Sequence, residues 1–264
     1  MADLESALRA RRETGGKVFV PYVTGGAPGF DGGLLRALAE AGADAIEIGI
    51  PFSDPVMDGP VIQEASRRAL EAGTTATEVL ETIRQASVGV PVAVMTYFNP
   101  VFRRGVDRFA SEAAASGVSG AIIPDLPVDE ADGWVRACAA TDLQPVFLAA
   151  PGSARERLKA IAGSAGGFVY CVSTFGVTGE REVLAGTAEG VVSELRSLTD
   201  LPLLVGVGIG TPDQAAAACS FADGVVVGSA LVRRLLAGEQ AEALELARAI
   251  RAALPEDGDA EKSR

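Results

Sequence analysis

The sequence predicts a (β/α)8 (TIM) barrel with an extra N-terminal helix, and three observations carry that expectation. The chain has 264 residues and 48% hydrophobic content, enough to bury one large core; a barrel of this kind typically takes about 250 residues as one domain. Eight short apolar runs alternate with amphipathic stretches. The runs are apolar on both faces, as parallel strands covered by helices must be.

The eight runs are 18–23, 45–50, 92–97, 121–123, 145–148, 168–172, 203–207 and 225–227. Helix-like segments between them include 31–41, 60–71, 77–86, 106–116, 155–162, 188–197 and 213–219. The approaches to the strands echo one another: Ala41-Gly42-Ala43, Ser116-Gly117-Val118, Ser164-Ala165-Gly166 and Ser220-Phe221-Ala222 each close a helix before the next strand. A doubly wound open sheet shares this local grammar, but eight units in this length is the barrel's count. Residues 4–14 make a further helix, expected to close the barrel bottom. Residues 1–254 are thus one expected domain, and 255–264, with Pro255, Glu256, Asp257 and Asp259, an acidic and solvated tail.

A formal charge of −12 and a pI near 4.6 argue against nucleic acid or an anionic membrane as partner. The N-terminal stretch is mixed in charge, and no segment approaches 18 uninterrupted apolar residues. Neither a signal peptide nor a membrane span is expected, and the cytoplasm is the expected location. Cys138, Cys171 and Cys219 have neither metal-site nor disulfide spacing and are expected to be buried thiols. The absence of histidine removes imidazole acid/base chemistry and histidine-ligated metals, and no metal site is expected. Lys17, Lys159 and Lys262 all stand away from predicted strand ends, where a Schiff-base lysine would be needed. Carboxylates, hydroxyls and backbone amides are left to do chemistry.

The second run and its loop read Ile46-Glu47-Ile48-Gly49-Ile50-Pro51-Phe52-Ser53-Asp54-Pro55-Val56-Met57-Asp58-Gly59-Pro60. Strand alternation puts Ile46, Ile48 and Ile50 on the helix side and Ala45, Glu47 and Gly49 on the other. Glu47 then points into the barrel mouth, where a carboxylate is costly unless paired or used. A buried glutamate satisfied by hydrogen bonds is the alternative. Asp58 stands before Gly59-Pro60, with proline at a first helical position, so the helix dipole is expected to keep it ionised. A simple helix-start acid is its alternative. Two carboxylates in environments that push their pKa values apart suggest proton transfer by one and charge stabilisation by the other. Late in the chain, glycine-rich loops at 173–179, 206–210 and 228–230 follow three consecutive strands, as in barrels that bind phosphate. They carry no lysine or arginine, so backbone N–H groups and the Ser229 hydroxyl are expected to hold the anion.

The 46–63 segment closely resembles the signature of the tryptophan synthase alpha chain family. The likeness runs from about Phe19 to Leu231: Phe19-Val20-Pro21-Tyr22-Val23-Thr24 and Met95-Thr96-Tyr97-Phe98-Asn99-Pro100 look like its first and third strand ends, and Pro124-Asp125-Leu126-Pro127 like its fourth. The resemblance implies a lyase that splits indole-3-glycerol phosphate into indole and glyceraldehyde 3-phosphate, with Glu47 transferring the proton and Asp58 accepting a hydrogen bond from the indole nitrogen. It further implies substrate contacts from Tyr22, Tyr97, Tyr170, Thr178, Gly179, Gly208, Gly228 and Ser229, with Thr178 bonding Asp58 when the 173–179 loop closes. Tyr170 could equally be a core aromatic. The implied partner is a beta chain in an alpha2beta2 heterotetramer; that partner carries pyridoxal phosphate and the alpha chain no cofactor. Ala27 departs from the family, which usually has aspartate there. Another phosphate-binding barrel of tryptophan or histidine biosynthesis, a non-catalytic partner subunit and a stand-alone indole-releasing lyase remain as alternatives. The missing strand-end lysine speaks against the first, and retention of Glu47 and Asp58 against the second.

Overall fold

The computed structural model describes residues 3–172, 181–206 and 208–255, with the backbone alone for 181–187. Eight parallel strands close into a ring: β1 (Val18–Thr24), β2 (Ile46–Gly49), β3 (Val92–Met95), β4 (Val118–Ile122), β5 (Gln144–Ala149), β6 (Val169–Val172), β7 (Leu203–Gly206) and β8 (Gly224–Val227). Each strand pairs with the next in sequence, and β8 returns to β1 through Val18↔Gly224 and Pro21↔Val227. Around the ring lie α1 (Leu4–Glu13), α2 (Gly32–Glu40), α3 (Pro60–Glu71), α4 (Ala76–Ala86), α5 (Phe98–Arg104), α6 (Val106–Ala115), α7 (Asp132–Ala139), α8 (Arg155–Ser164), α9 (Arg181–Arg196), α10 (Pro212–Ala218), α11 (Ser229–Leu236) and α12 (Gln240–Ala253).

Strand alternation divides the core in two. Ile46, Ile48 and Ile50 pack outward with Leu34, Leu38, Val79 and Ile83 of α2 and α4. The opposite faces fill the barrel with Val18, Val20, Ala93, Ile122, Phe168 and Leu204. Leu4 and Leu8 of α1 belong to that interior cluster and are fully buried, so the N-terminal helix plugs one end as expected. Burying each such leucine is worth about 1.5–3 kcal/mol.

Side chains that satisfy orphan N–H groups mark where helices begin. Asp31 accepts from Leu34 N–H at 2.7 Å, Thr75 and Glu78 form a capping box, and Thr211 precedes Pro212 at the first turn of α10. At the plugged end, Asp44 and Asp223 accept from the Phe19 and Leu203 N–H groups at 2.8 Å and pair with Arg251 and Arg196. Carboxylates there serve the frame. The opposite, C-terminal end of the strands is left open for a site.

Several boundaries differ from the sequence expectation. The third strand stops at Met95 rather than Tyr97, because Tyr97 already caps α5; β4 starts at Val118 rather than residue 121. Ser229 and Ala230 are not loop residues, since α11 starts at Ser229 with Gly228 as its N-cap. Val207, the 173–180 segment and the tail from 256 onward lie outside the described residues.

Candidate active site

Glu47 and Tyr22 are register partners on adjacent strands, so both side chains project into the mouth of the barrel side by side. Glu47 is 1% exposed, and its Oε2 is buried with no hydrogen-bond partner among the described residues. A buried carboxylate lacking a partner for one oxygen avoids ionising. Burial, followed by the nearby Asp58 charge, pushes Glu47 up to about 8. At neutral pH it therefore holds a proton.

Glycine makes room for the aromatic neighbours of this carboxyl. A Cβ at Gly49 would collide with the Tyr22 hydroxyl, and one at Gly206 with the Tyr170 hydroxyl. Alanine at either position would expel a tyrosine from the mouth. Thr24 donates a long hydrogen bond, 3.4 Å, to the Tyr22 hydroxyl. Tyr22 and Tyr170 are both raised well above the ordinary phenol value by burial, so they stay neutral donors.

Asp58 comes from the loop between β2 and α3, and the chain itself braces that loop. The Tyr97 hydroxyl accepts from Met57 N–H at 2.9 Å and also hydrogen-bonds the Asp58 carboxylate. Gln63 on α3 donates to the Asp58 carbonyl at 2.8 Å, and Asp58 N–H donates to Pro55 O at 3.0 Å. Phe52 stacks on Tyr97 with ring centroids 5.1 Å apart and is partly covered. Val56 at 78% and Met57 at 44% exposure are the apolar residues that the loop does present outward. The expectation that the helix dipole governs Asp58 is corrected: burial dominates and raises it to about 6, while the Tyr97 hydrogen bond pulls it down. It remains mostly ionised at pH 7, one unit above that value.

Glu47, Asp58, Tyr22 and Tyr170 share one cavity of about 440 Å3 with Gly208, Gly228 and Ser229. Carboxylates stand at one part of its wall and the start of α11 at another, so the expected catalytic and phosphate-binding residues do converge. Tyr97 stands behind Asp58 and does not line this cavity. Thr178 and Gly179 lie outside the described residues. A second space of about 570 Å3 shares Met57, Asp58, Met95 and Tyr170 with the first and extends over β4 and β5, lined by Ile122, Leu126, Phe147 and Leu148. These apolar residues were missed in the sequence. Ile122 and Leu148 hold inward positions near the ends of β4 and β5, which alternation could have found, whereas Leu126 and Phe147 belong to the outer cluster.

A sequence model of the tryptophan synthase alpha chain family matches residues 8–257. The chain belongs to that family. It is 44% identical over 252 residues to the tryptophan synthase alpha chain of Streptomyces avermitilis, covering 94% of this chain and 91% of the relative. The corresponding chain of Alkalilimnicola ehrlichii is 47% identical over 240 residues, 89% and 88% of the two chains. Among solved structures, Mycobacterium tuberculosis tryptophan synthase aligns with a TM-score of 0.87 and 38% identity over 96% of this chain and 99% of that one. Tryptophan synthase subunit alpha from Legionella pneumophila gives 0.85 and 34%, over 96% and 98%.

As a member of this family it is an enzyme subunit of tryptophan biosynthesis with a beta-chain partner, and the pyridoxal phosphate of that assembly belongs to the beta chain. Among the described residues no helix is long and apolar enough to cross a membrane, and no cluster of histidine, cysteine or carboxylate side chains could hold a metal ion. Cys138, Cys171 and Cys219 are free and buried, and burial raises all three thiols.

Proposed function

We propose that this cavity cleaves indole-3-glycerol phosphate to indole and glyceraldehyde 3-phosphate, with Glu47 as the proton-transfer group and Asp58 as the charge stabiliser. The observation that carries the reading is the split between the two carboxyls: one protonated at neutral pH, the other ionised, on one cavity wall. The indole ring lies in the apolar space between Met95, Ile122, Leu148 and Tyr170, with its N–H toward Asp58. Glu47 gives its proton to indole C3, and Asp58 stabilises the cation while it exists. Carboxylate Glu47 then takes the proton from the side-chain hydroxyl as the carbon–carbon bond breaks. The glycerol carbon leaves as the aldehyde, indole keeps the first proton, and Glu47 is protonated again for the next turnover. These proton transfers need no cofactor on this chain.

The phosphate end is formed by Gly208, Gly228 and Ser229, and Thr178 and Gly179, outside the described residues, complete the proposed set of substrate contacts. Ser229 is exposed to the cavity at the first turn of α11, where N–H groups and the helix dipole favour an anion. Ser229→Asp is expected to weaken indole-3-propanol phosphate binding by at least about tenfold through like-charge repulsion. Titration calorimetry measures it, and unchanged affinity would move the phosphate elsewhere.

Exposed Val56 and Met57 beside Asp58 supply the apolar surface on which the beta chain packs in an alpha2beta2 heterotetramer of the cytoplasm. Packing there biases the Asp58 loop toward the reactive arrangement. The test is product release from indole-3-glycerol phosphate with and without a cognate beta chain. Equal amounts of indole and glyceraldehyde 3-phosphate are expected, slowly from the isolated chain and faster by about an order of magnitude or more in the complex, the reach of 1 to 3 kcal/mol of coupling. Full activity alone, with no complex formed, would make this a stand-alone lyase. No cleavage in either state would reject the reaction.

A further inference from the structure

The phosphate end of the cavity is not built from backbone amides and a hydroxyl alone. Arg233 and Arg234, on the second turn of α11, line the same wall as Gly208, Gly228 and Ser229. We infer that this arginine pair supplies the positive charge for the substrate phosphate and makes the cavity selective for phosphorylated over neutral indole side chains. The inference rests on the proposed cleavage reaction and deepens it.

Helical side chains lean toward the N-terminus of their own helix, so a residue on the second turn reaches back over the first. Arg234 does so: its Nη1 donates to the Ala230 carbonyl at 2.8 Å, the only hydrogen bond of this guanidinium among the described residues. That contact fixes the head against the first turn of α11, whose Ser229 lines the same cavity, and leaves the other N–H groups of the fork for an anion. Arg234 is half-buried, whereas Arg233 is exposed at the rim, and neither has a carboxylate partner among the described residues. This contrasts with Arg67, Arg68, Arg84, Arg104 and Arg108, all paired with glutamates on the outer helices.

Charge balance favours the pair. The protein carries a formal −12, and ionised Asp58 stands in the same cavity as the arriving phosphate. Neutral N–H dipoles at one helix end offset a fraction of a unit charge. Two guanidiniums match the dianion, and the planar fork of Arg234 fits two phosphate oxygens at once.

The probes are indole-3-propanol phosphate and indole-3-propanol, which share the ring and differ in the phosphate. In the full chain, Arg233→Gln with Arg234→Gln is expected to weaken the phosphate by about tenfold or more and to leave the alcohol unchanged, so the ratio of their affinities collapses. KM for the cleavage substrate should rise far more than kcat falls, and the double Lys variant should regain most of the ratio. Wild-type affinity for the phosphate, but not for the alcohol, should fall with added salt. Should the double Gln variant lose its fold by circular dichroism, Arg234→Gln alone and the wild-type salt series decide the matter. An unchanged affinity ratio in a folded Gln variant overturns the arginine assignment while the phosphate site at Ser229 stands. A wild type that binds both probes equally overturns the phosphate reading together with it.

Discussion

Glu47→Gln is expected to lower indole formation by roughly three to four orders of magnitude, the upper reach of a single acid/base group, because one carboxyl serves both proton transfers. The amide keeps the shape, and affinity for indole-3-propanol phosphate should change little. Stability should move in the opposite direction. Folding raises Glu47 from the ordinary 4.5 to about 8, so between those values the folded protein binds more protons than the unfolded chain. Glu47 therefore makes stability fall as pH rises through that window, by a few kcal/mol at about 1.36 kcal/mol per pKa unit. Above pH 8 the wild type buries an ionised carboxylate and the Gln variant does not. The Gln variant should thus melt higher than wild type at pH 8 to 9, with the gap closing toward pH 5. Denaturant titrations across that range, beside an indole assay, measure both halves. Near-native turnover would remove Glu47 from the chemistry; a pH-independent stability gap would mean that its burial carries no such penalty.

The closed ring was readable because eight apolar runs with intervening helices in this length match the barrel's count better than that of an open sheet, and β1 to β8 begin and end within a few residues of expectation. Alternation set Ile46, Ile48 and Ile50 on one face and Glu47 on the other, and the bulk of the isoleucines assigned them to the helix side, leaving Glu47 inward. What failed was local. The third strand is expected to run to Tyr97, yet it ends at Met95 and a helix starts at Phe98, with Pro100 in its first turn, where proline costs nothing. Gly228-Ser229-Ala230 reads as a loop, and taking it so hid the helical phase that brings Arg233 and Arg234 to the cavity wall. The grip of Tyr97 on the Asp58 loop spans residues 57 and 97, a distance over which no periodicity carries information. The direction of the Asp58 shift was hidden for the same reason, because burial depends on what the rest of the fold lays over the loop.

Asp58→Asn is expected to cost about two to three orders of magnitude in kcat, the scale on which a group aimed at developing charge acts, with a smaller effect on ligand affinity. An asparagine still accepts a hydrogen bond from the indole N–H but brings no negative charge to the cation formed when C3 is protonated. The pH profile gives a sharper signature. Wild-type activity requires Asp58 ionised and Glu47 protonated, so kcat/KM should be bell-shaped, rising through about 6 and falling through about 8. In the Asn variant the acid limb should vanish, since the group that titrates there is gone. The alkaline limb should move to lower pH, because the Asp58 charge is one of the two causes that hold Glu47 up, and removing it makes the Glu47 carboxylate easier to form. It should nevertheless stay well above 4.5, since burial, the larger cause, is untouched. Steady-state rates of indole release from pH 5 to 9 for both proteins measure this. A variant that changes KM alone, with both limbs in place, would make Asp58 a binding residue, and an alkaline limb that stays put would mean that the two carboxyls do not sense one another.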